Sequence, residues 1–397
     1  QVFPLDVKAS VRSRLTHSLE VQETGRQISR RILAALPAGT VCEGAFINLV
    51  EMACLLHDVG NPPFGHFGEQ VMSQWLAQSL DELFARAHDQ LPSPQWAELR
   101  QDLLVFDGNA QSLRLVHSLH EMNLTLGQLA ALCKYPQQPL LHSPQGYGQH
   151  HGWTSKRGIF FSEQPLYRAL GQSLGLAPGC RHPLVYIMEA ADDISYCIAD
   201  LEDAVDRRIL TQGELLAALR GADEGDYMAT LLEEALASER GFFPHFRQHL
   251  TRDLVALAAH TYVSDHEAIL SGAYPRALLH GQAPAAQVLD TLKQVAREQV
   301  FMRPEVEALE LEGHAALRGC FPLIPACWHC RPRSSSGCWP ATAGVSCSLP
   351  GGCSTACRPA ISRHTGWRWP AGIRALTMAP SRSGTTGCGC CSTMSAA

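Results

Sequence analysis

Hydrophobic residues recur at helical spacing along most of the chain, up to about residue 314. Between Arg12 and Leu36 the apolar side chains fall on one side of a predicted amphipathic helix. Residues 46–59 are apolar nearly all round, which predicts a buried helix. Helical periodicity returns from residue 213 to residue 311, and no strand-type alternation is sustained anywhere. The pattern therefore predicts an all-α fold class, a helical bundle.

The predicted buried helix ends in an adjacent histidine and aspartate. His57 and Asp58 close the apolar run, and residues 60–63, Gly-Asn-Pro-Pro, break the helix. A second histidine and a glutamate, His66 and Glu69, follow within eleven residues of Asp58. Imidazole and carboxylate groups at the end of a buried helix suit a divalent cation and its bound water. On these residues alone, a capped helix end with a core histidine is the alternative.

A polar stripe runs along the helix predicted between Pro183 and Leu210. At 3.6 residues per turn, Asp192, Tyr196 and Asp200 share one face. Such a stripe usually marks a solvated surface. The flanking positions are too apolar for an ordinary surface helix, so we favour a polar internal site.

Residues 99–134 hold two further helical stretches, and a polar segment at 106–111 interrupts the first. Within this segment, Asn109 is either a turn residue or an amide directed at a ligand, and the spacing does not decide between the two. The second stretch ends with Lys134 and Tyr135, just before a proline.

Composition and charge narrow the class of protein. The formal net charge of -6 leaves no overall basic field of the kind that nucleic-acid binding uses. No run of eighteen apolar residues occurs, so no membrane span is expected. The first residues, Gln1–Leu5, show neither a Met start nor a signal-peptide pattern. We therefore expect a cytoplasmic protein whose sequence here begins inside a longer chain.

The last part of the chain, residues 315–397, differs from the rest in composition. From residue 316 onward it has no Asp or Glu, four Trp and ten of the chain's fifteen cysteines. The five earlier cysteines are sparse and lie mostly in apolar segments, as expected for reduced thiols.

Three interpretations of this tail compete. A Cys-rich metal module would use Cys327, His329 and Cys330, but no second clean Cys-x2-Cys pair follows at Cys347–Cys357. A disordered basic tail is the second interpretation. We favour a third, translation in the wrong reading frame after a frameshift. A natural linker avoids Cys and Trp, and a natural domain needs acidic surface residues. The tail is then not natively folded.

Four segments together resemble one family. They are residues 14–21 with His17, residues 57–66 with His57 and Asp58, residues 106–111, and residues 189–196 with Asp192. Their order and spacing resemble the HD superfamily of metal-dependent phosphohydrolases, which is named for the adjacent His-Asp. The amino-acid sequences of these segments, and of residues 2–5, are similar to those of the bacterial deoxyguanosinetriphosphate triphosphohydrolases. The resemblance covers roughly residues 1–314, as an HD-type phosphohydrolase domain that is incomplete at its N-terminus.

The resemblance implies a role for eleven residues. The family's four ligands of a divalent metal, Mg²⁺ or Mn²⁺, correspond to His17, His57, Asp58 and Asp192, with Asp193 as a neighbour. Its catalytic pair corresponds to His66 and Glu69. Positions that line its nucleotide pocket correspond to Asn109, Lys134, Tyr135, Tyr196 and Asp200.

The family reaction that this implies is metal-dependent hydrolysis of dGTP to deoxyguanosine and triphosphate, with attack of water at the α-phosphate. The resemblance also implies a homo-oligomer, typically a hexamer, and single-stranded DNA as a possible ligand. The chain departs from the family at both ends, because it starts about one helix late and the tail replaces a part that supplies substrate contacts. Two alternatives therefore stay open. One is another HD-type nucleotide phosphohydrolase, either a broad dNTPase or a 5′-nucleotidase, and the other is an inactive remnant that binds nucleotide or single-stranded DNA.

Overall fold

The computed structural model describes residues 12–87, 96–136, 158–223 and 225–321. In this part of the chain there are fourteen α-helices and no β-strand, which confirms the predicted all-α fold class. The helices are α1 (Arg14–Ala35), α2 (Glu43–Leu56), α3 (Gly65–Ala87), α4 (Trp96–Leu104), α5 (Gly108–Leu113), α6 (Leu126–Leu132), α7 (Gln164–Leu174), α8 (Pro183–Asp206), α9 (Gln212–Ala222), α10 (Asp226–Ala237), α11 (Phe242–Ser264), α12 (His266–Leu270), α13 (Pro284–Ala296) and α14 (Pro304–Cys320). Short π-helical segments, Arg114–Leu119 and Arg297–Phe301, continue α5 and α13.

Helix α8 runs through the centre of the hydrophobic core. Fourteen of its 24 residues are buried. Helices α1, α2, α11 and α13 all contact α8, and their buried apolar side chains form one continuous cluster with it. The residues of α8 that are only partly buried are mostly polar, and they include the stripe that the sequence predicts. The core therefore surrounds a helix that carries polar groups inward.

The predicted helix boundaries hold to within a few residues, with two differences. Helix α2 ends at Leu56, so His57 and Asp58 lie in the turn after the helix rather than in its last turn. Helix α14 continues past residue 314 to Cys320, and the Phe321 ring stacks on Trp75 of α3 with centroids 4.7 Å apart. The remainder of the predicted tail, residues 322–397, and the segments 1–11, 88–95 and 137–157 lie outside the described residues.

Two predictions from composition concern the described residues directly. None of their helices combines the length and the hydropathy needed to cross a bilayer. The five cysteines before residue 300 are free thiols, and Cys54, Cys133 and Cys197 are buried in the core, as expected for reduced cysteines in apolar segments.

Close packing of α1 on α2 depends on one glycine. A Cβ at Gly25 would lie 2.6 Å from Cys54 Sγ and 3.1 Å from a Val50 methyl carbon. We expect Gly25→Val to lower the free energy of unfolding by about 1–3 kcal/mol, because added volume strains a packed core. Gly44→Val is the matched control, since Gly44 has nothing within 4 Å of its Cβ position. Urea unfolding followed by circular dichroism measures both, and equal stabilities would show that the helices can separate without cost.

Candidate functional site

Three helices bring His17, His57 and Asp192 together. His17 lies at the start of α1, His57 directly follows α2, and Asp192 lies in the middle of α8. The Nε2 atoms of His17 and His57 are 3.3 and 3.5 Å from Asp192 Oδ1. The three potential ligand atoms all lie within 4.8 Å of one another. Residues that are 40 and 135 positions apart in the sequence thus converge on one point.

Local sequence fixes where α1 begins and so where His17 lies. The Ser13 hydroxyl accepts a hydrogen bond from the Thr16 backbone N–H at 3.2 Å, and the Thr16 hydroxyl accepts one from the Ser13 N–H at 2.9 Å. This capping box satisfies two backbone donors that the helix start would otherwise leave unpaired. His17 follows one residue later, in the first turn of the helix.

Hydrogen bonding determines which ring nitrogen of His57 is free to act as a ligand beside His17 and Asp192. Its Nδ1 lies 2.7 Å from the Cys54 carbonyl oxygen, so Nδ1 carries the hydrogen and donates it. His57 Nε2 is buried and has no hydrogen-bond partner among the described residues. Buried polar atoms in folded proteins are nearly always satisfied. The unsatisfied Nε2 therefore indicates that this nitrogen serves as a ligand.

The charges in this group favour a bound cation. Burial by itself would lower the pKa of His57, but Asp192 and Asp58 raise it to about 9. Burial would likewise raise the pKa of Asp192, yet His17, His57 and Lys134 hold it well below its usual value. Without a metal, a proton on the imidazole balances the carboxylates, and a metal ion that binds can replace this proton.

The donor set of the group fits a divalent metal ion. Two imidazoles and a carboxylate are common ligands of such ions. Asp58 adjoins them, because its Oδ1 lies 3.6 Å from His57 Nε2. The Asn61 side-chain amide donates to the same oxygen at 2.6 Å and orients it. Asp193, in contrast, turns away and accepts a hydrogen bond from Lys293 at 2.8 Å.

The turn that follows the His-Asp pair is held from two sides. The Arg14 guanidinium donates to the backbone carbonyl oxygens of Asn61, at 2.5 Å, and Pro62. The Gly60 N–H donates to Ser112 Oγ at 2.9 Å, and a Cβ on Gly60 would overlap the backbone of α5. Position 60 therefore requires glycine. The close packing of this turn on α5 fixes the course of the chain between Asp58 and α3.

His66 and Glu69 form a pair in the first turn of α3. His66 Nδ1 lies 2.7 Å from Glu69 Oε2, and the His66 side chain is 75% exposed. The other carboxylate oxygen of Glu69 accepts the Gly108 N–H at 2.8 Å. A Cβ on Gly108 would overlap the side chains of Asn61 and Glu69. Glu69 is thus held by α5, and it in turn orients the ring of His66.

Two successive residues with positive φ turn the chain into α3. Phe64 has φ of 66° and Gly65 has φ of 56°. A left-handed backbone is unusual for a bulky residue and persists only where its surroundings hold it. The Phe64 ring packs against α14 at Gly313, where a Cβ would lie 2.6 Å from the ring. Helix α14 therefore helps to orient the segment that presents His66.

A cleft opens beside the group formed by His17, His57, Asp58 and Asp192. Its lining includes His17 and Asp58 from that group and Tyr196 and Asp200 from the stripe on α8. The polar stripe of α8 therefore borders this cleft. Burial raises the pKa of Asp200 to about 6 and that of Tyr196 above its usual value. Both groups are thus held in surroundings that disfavour their charged forms.

The three other predicted pocket residues lie in different positions. Lys134 Nζ is 3.7 Å from Asp192 Oδ2, which places a cation beside the metal-binding group. The Tyr135 ring is buried and lies 5.9 Å from Lys134 Nζ. The Asn109 side chain donates to Asp107, the residue that caps α5, at 3.1 Å. Asn109 thus takes part in a helix cap and is not among the residues that line the cleft.

The sequence did not identify two basic residues of the site. Arg12 lines the cleft and binds Glu20, Glu202 and Asp203, at 3.1, 2.6 and 2.5 Å respectively. The one sequence signal was its position just before His17. Arg181 is a second such residue, buried beneath Lys134 with no signal in its local sequence, and it donates to the Lys134 carbonyl oxygen at 2.9 Å.

Comparison with known proteins agrees with this geometry. The HD domain family matches residues 14–96, a segment that holds His17, the His-Asp pair and the His66–Glu69 pair. Deoxyguanosinetriphosphate triphosphohydrolase from Klebsiella pneumoniae subsp. pneumoniae is 40% identical to the chain over 362 residues, covering 81% of the chain and 72% of that protein. The protein named probable deoxyguanosinetriphosphate triphosphohydrolase from Pseudomonas aeruginosa is 41% identical over 352 residues, covering 80% of the chain and 70% of that protein.

A third relative, deoxyguanosinetriphosphate triphosphohydrolase from an Enterobacter species, is 39% identical over 362 residues and has the same coverage as the Klebsiella protein. Identity at this level over most of both chains implies a common fold. The resemblance found in the sequence motifs is therefore confirmed, and the chain is a hydrolase. It belongs to the deoxyguanosinetriphosphate triphosphohydrolase family, within the HD-domain phosphohydrolases.

Proposed function

We propose that the chain hydrolyses dGTP to deoxyguanosine and triphosphate by attack of water at the α-phosphate. The observation that carries this proposal is the convergence of His17, His57 and Asp192 beside a cleft that also receives α8 side chains. The names of the relatives supply the substrate, because nothing in the described cleft identifies a base by itself.

His17, His57, Asp58 and Asp192 would hold a divalent metal ion, either Mg²⁺ or Mn²⁺. When bound, such an ion supplies positive charge to the phosphoryl oxygens and lowers the pKa of a coordinated water. Two imidazole ligands favour Mn²⁺ or a similar transition metal over Mg²⁺, which prefers oxygen ligands. The amide of Asn61 orients Asp58, and the carbonyl of Cys54 orients His57.

His66 and Glu69 are the proposed catalytic pair. With Nδ1 held by Glu69, the His66 ring can orient a water molecule or move a proton at the attacked phosphate. Glu69 fixes the tautomer and stabilises the imidazolium if a proton is taken up. Since α5 holds the other oxygen of Glu69, the ring is positioned before substrate binds.

We expect His66→Gln to lower kcat about 10²–10⁴-fold, the usual contribution of a general acid or base. The free energy of unfolding should change little, because the side chain is largely exposed. Steady-state kinetics and urea unfolding measure the two effects. His120→Gln is the control, since His120 is an exposed histidine outside the site. A variant at position 66 with the kcat of the wild type would remove His66 from the mechanism.

The substrate-binding roles are proposals as well. Lys134, beside Asp192, can neutralise charge on the phosphates. Tyr196 can stack on the sugar or donate a hydrogen bond to it, and Asp200, which also lines the cleft, can accept one from a hydroxyl group. Tyr135 packs behind Lys134, and Asn109 would act through the end of α5 that holds Glu69.

Product analysis tests the proposed reaction. Purified protein with Mn²⁺ or Mg²⁺ and dGTP should yield deoxyguanosine and intact triphosphate, resolved by ion-exchange chromatography. In ¹⁸O-labelled water the label should appear in the triphosphate, because attack at the α-phosphorus breaks its bond to O5′. Release of monophosphate or pyrophosphate alone would contradict the proposal. His57→Ala and Asp58→Ala are the inactive controls.

A panel of substrates distinguishes the proposed reaction from the alternative functions. Comparable kcat/KM for all four deoxynucleoside triphosphates would indicate a broad dNTPase, and a preference for nucleoside monophosphates would indicate a 5′-nucleotidase. Metal and nucleotide binding without turnover would indicate an inactive remnant.

The assembly, the domain limits and the location in the cell remain predictions. We propose a functional domain over residues 1–314, although α14 continues to Cys320. We also propose a cytoplasmic homo-oligomer that can bind single-stranded DNA. Leu15 and Leu19, one turn apart on α1 and both exposed, are available for subunit contacts. Light scattering after size exclusion tests the assembly, and an outcome of one chain per particle would contradict it.

A further inference from the structure

A second group of metal-ligating side chains lies on α10 and α11, away from the residues of the site described above. His245 and His249 are one turn apart on α11, and their rings stack with centroids 4.1 Å apart and an interplanar angle of 14°. Glu234 of α10 faces them, with its Oε2 atom 3.9 Å from both His245 Nε2 and His249 Nδ1. The three ligand atoms all lie within 4.8 Å of one another.

One atom of this group lacks the partner that burial demands. His245 Nε2 is buried and forms no hydrogen bond among the described residues. It lies 3.9 Å from the nearest Glu234 oxygen, which is too far for a hydrogen bond. Leaving a buried nitrogen without a partner is energetically unfavourable. The arrangement thus indicates that a group other than a hydrogen-bond donor or acceptor of the described residues satisfies this nitrogen.

We propose that Glu234, His245 and His249 bind a second divalent metal ion, of the transition-metal class that imidazole prefers (Ni²⁺, Zn²⁺, Co²⁺ or Cu²⁺). Two histidines at positions i and i+4 of a helix project from one face and can bind the same ion. A carboxylate from a neighbouring helix supplies a third ligand. Mg²⁺ and Ca²⁺ are not expected here, because they prefer oxygen ligands.

To close the site around an ion, the two stacked rings must rotate so that both nitrogen lone pairs, which lie in the ring planes, point at the ion, and the carboxylate must approach them. Metal–ligand distances of about 2.0–2.2 Å place the ligand atoms of a four-coordinate ion about 3.4 Å apart. The observed separations of 3.9 Å must therefore shorten by roughly half an ångström. Glu234 can supply this movement, because its side chain is 53% exposed and flexible. Its exposure also gives the ion a path from solvent and leaves a position for water.

The consequence of binding would be structural. The ion would join α10 to α11, and α11 packs on both α1 and α8. Between the two histidines, Arg247 of α11 pairs with Glu202 of α8 and with Glu20 of α1, 3.7 Å away. A metal ion at this position therefore fixes the helix whose arginine links the two helices that carry His17 and Asp192. The proposal stands apart from the chemistry of the cleft, since the two groups share no residue.

Chemical modification of histidine tests the site on the full wild-type chain without an affinity tag. Ni²⁺ is the probe, because the fifteen cysteines would compete for Zn²⁺. The chain is treated with diethylpyrocarbonate, with and without stoichiometric Ni²⁺, and each peptide is quantified by mass spectrometry. We expect Ni²⁺ to slow the modification of His245 and His249 at least tenfold. His260, exposed on the same helix, should react equally in both samples.

Variants give the second measurement. Ni²⁺ should raise the Tm of the wild type and of His260→Ala by about 3 °C more than that of His245→Ala/His249→Ala, because an ion that binds only the folded state stabilises it. The single variant Glu234→Gln serves if the double variant does not fold, and Glu233→Gln is its control. Equal labelling of His245 and His249 with and without Ni²⁺ would overturn the proposal, and the pair would then be a surface histidine stack with a nearby glutamate.

Discussion

Asp192→Asn removes phosphohydrolase activity, while Asp193→Asn retains most of it. The two aspartates are neighbours in the sequence, but only Asp192 Oδ1 lies within 3.5 Å of both His17 and His57. An amide of the same shape cannot balance the charge of a metal ion held by two imidazoles. We expect kcat/KM to fall by more than about 100-fold, which is the upper range for losing only a partner behind a metal ligand.

Calorimetric titration with Mn²⁺ and steady-state kinetics measure this difference. Asp193→Asn is the matched control, because its carboxylate pairs with Lys293 instead. This variant should lose stability, since Lys293 is left partly buried without its partner, but it should still bind the metal. Equal loss of metal affinity in both variants would contradict the assignment of Asp192 as the ligand.

Arg181→Met should destabilise the protein by about 3–5 kcal/mol, the usual cost of removing one partner of a buried ion pair. The Arg181 side chain is only 1% exposed, and it donates to Glu189 at 2.8 Å and to the Lys134 carbonyl oxygen at 2.9 Å. Without it, the Glu189 carboxylate remains largely buried and uncompensated. The backbone of Lys134 also loses its support, so KM for the substrate should rise.

Urea unfolding gives the stability difference, and Arg100→Met is the control. Arg100 also pairs with a carboxylate, that of Asp81 at 3.0 Å, but both side chains are exposed and such pairs contribute at most about 1 kcal/mol. A similar small loss in both variants would show that the Arg181 pair is hydrated. A rise in KM for Arg181→Met alone, at unchanged kcat, would indicate that it acts by positioning Lys134.

Much of the fold was predictable because the sequence signals that define a helix lie within the helix itself or next to its ends. Apolar spacing and the Pro at the start of α8 place α1 and α8 to within about four residues at each end. The end of α2 differs from the prediction, because the apolar run continues to Val59 while the helix ends at Leu56. The glycine and prolines that follow decide the boundary, and their effect depends on how the turn packs on α5.

The site was predictable to a similar degree and for a related reason. His66 and Glu69 meet because they are three residues apart on one helix, and the stripe on α8 shares a face at any helical geometry. The family resemblance implied that His17, His57 and Asp192 lie together, and in the structure they do. It also assigned Asn109 to the nucleotide pocket, and in the structure the Asn109 side chain donates a hydrogen bond to Asp107, the residue that caps α5.

The sequence by itself determined the helices, their polar and apolar faces, the turn at the His-Asp pair and the unusual composition of the tail. The tertiary structure decided which remote groups meet: Arg181 beneath Lys134, Phe64 against α14, and Glu234 opposite His245 and His249. The physical reason is the separation along the sequence of the residues that form each contact. Contacts within one turn of a helix follow from spacing alone, whereas contacts between helices depend on how all of their faces pack, and no single stretch of sequence contains that information.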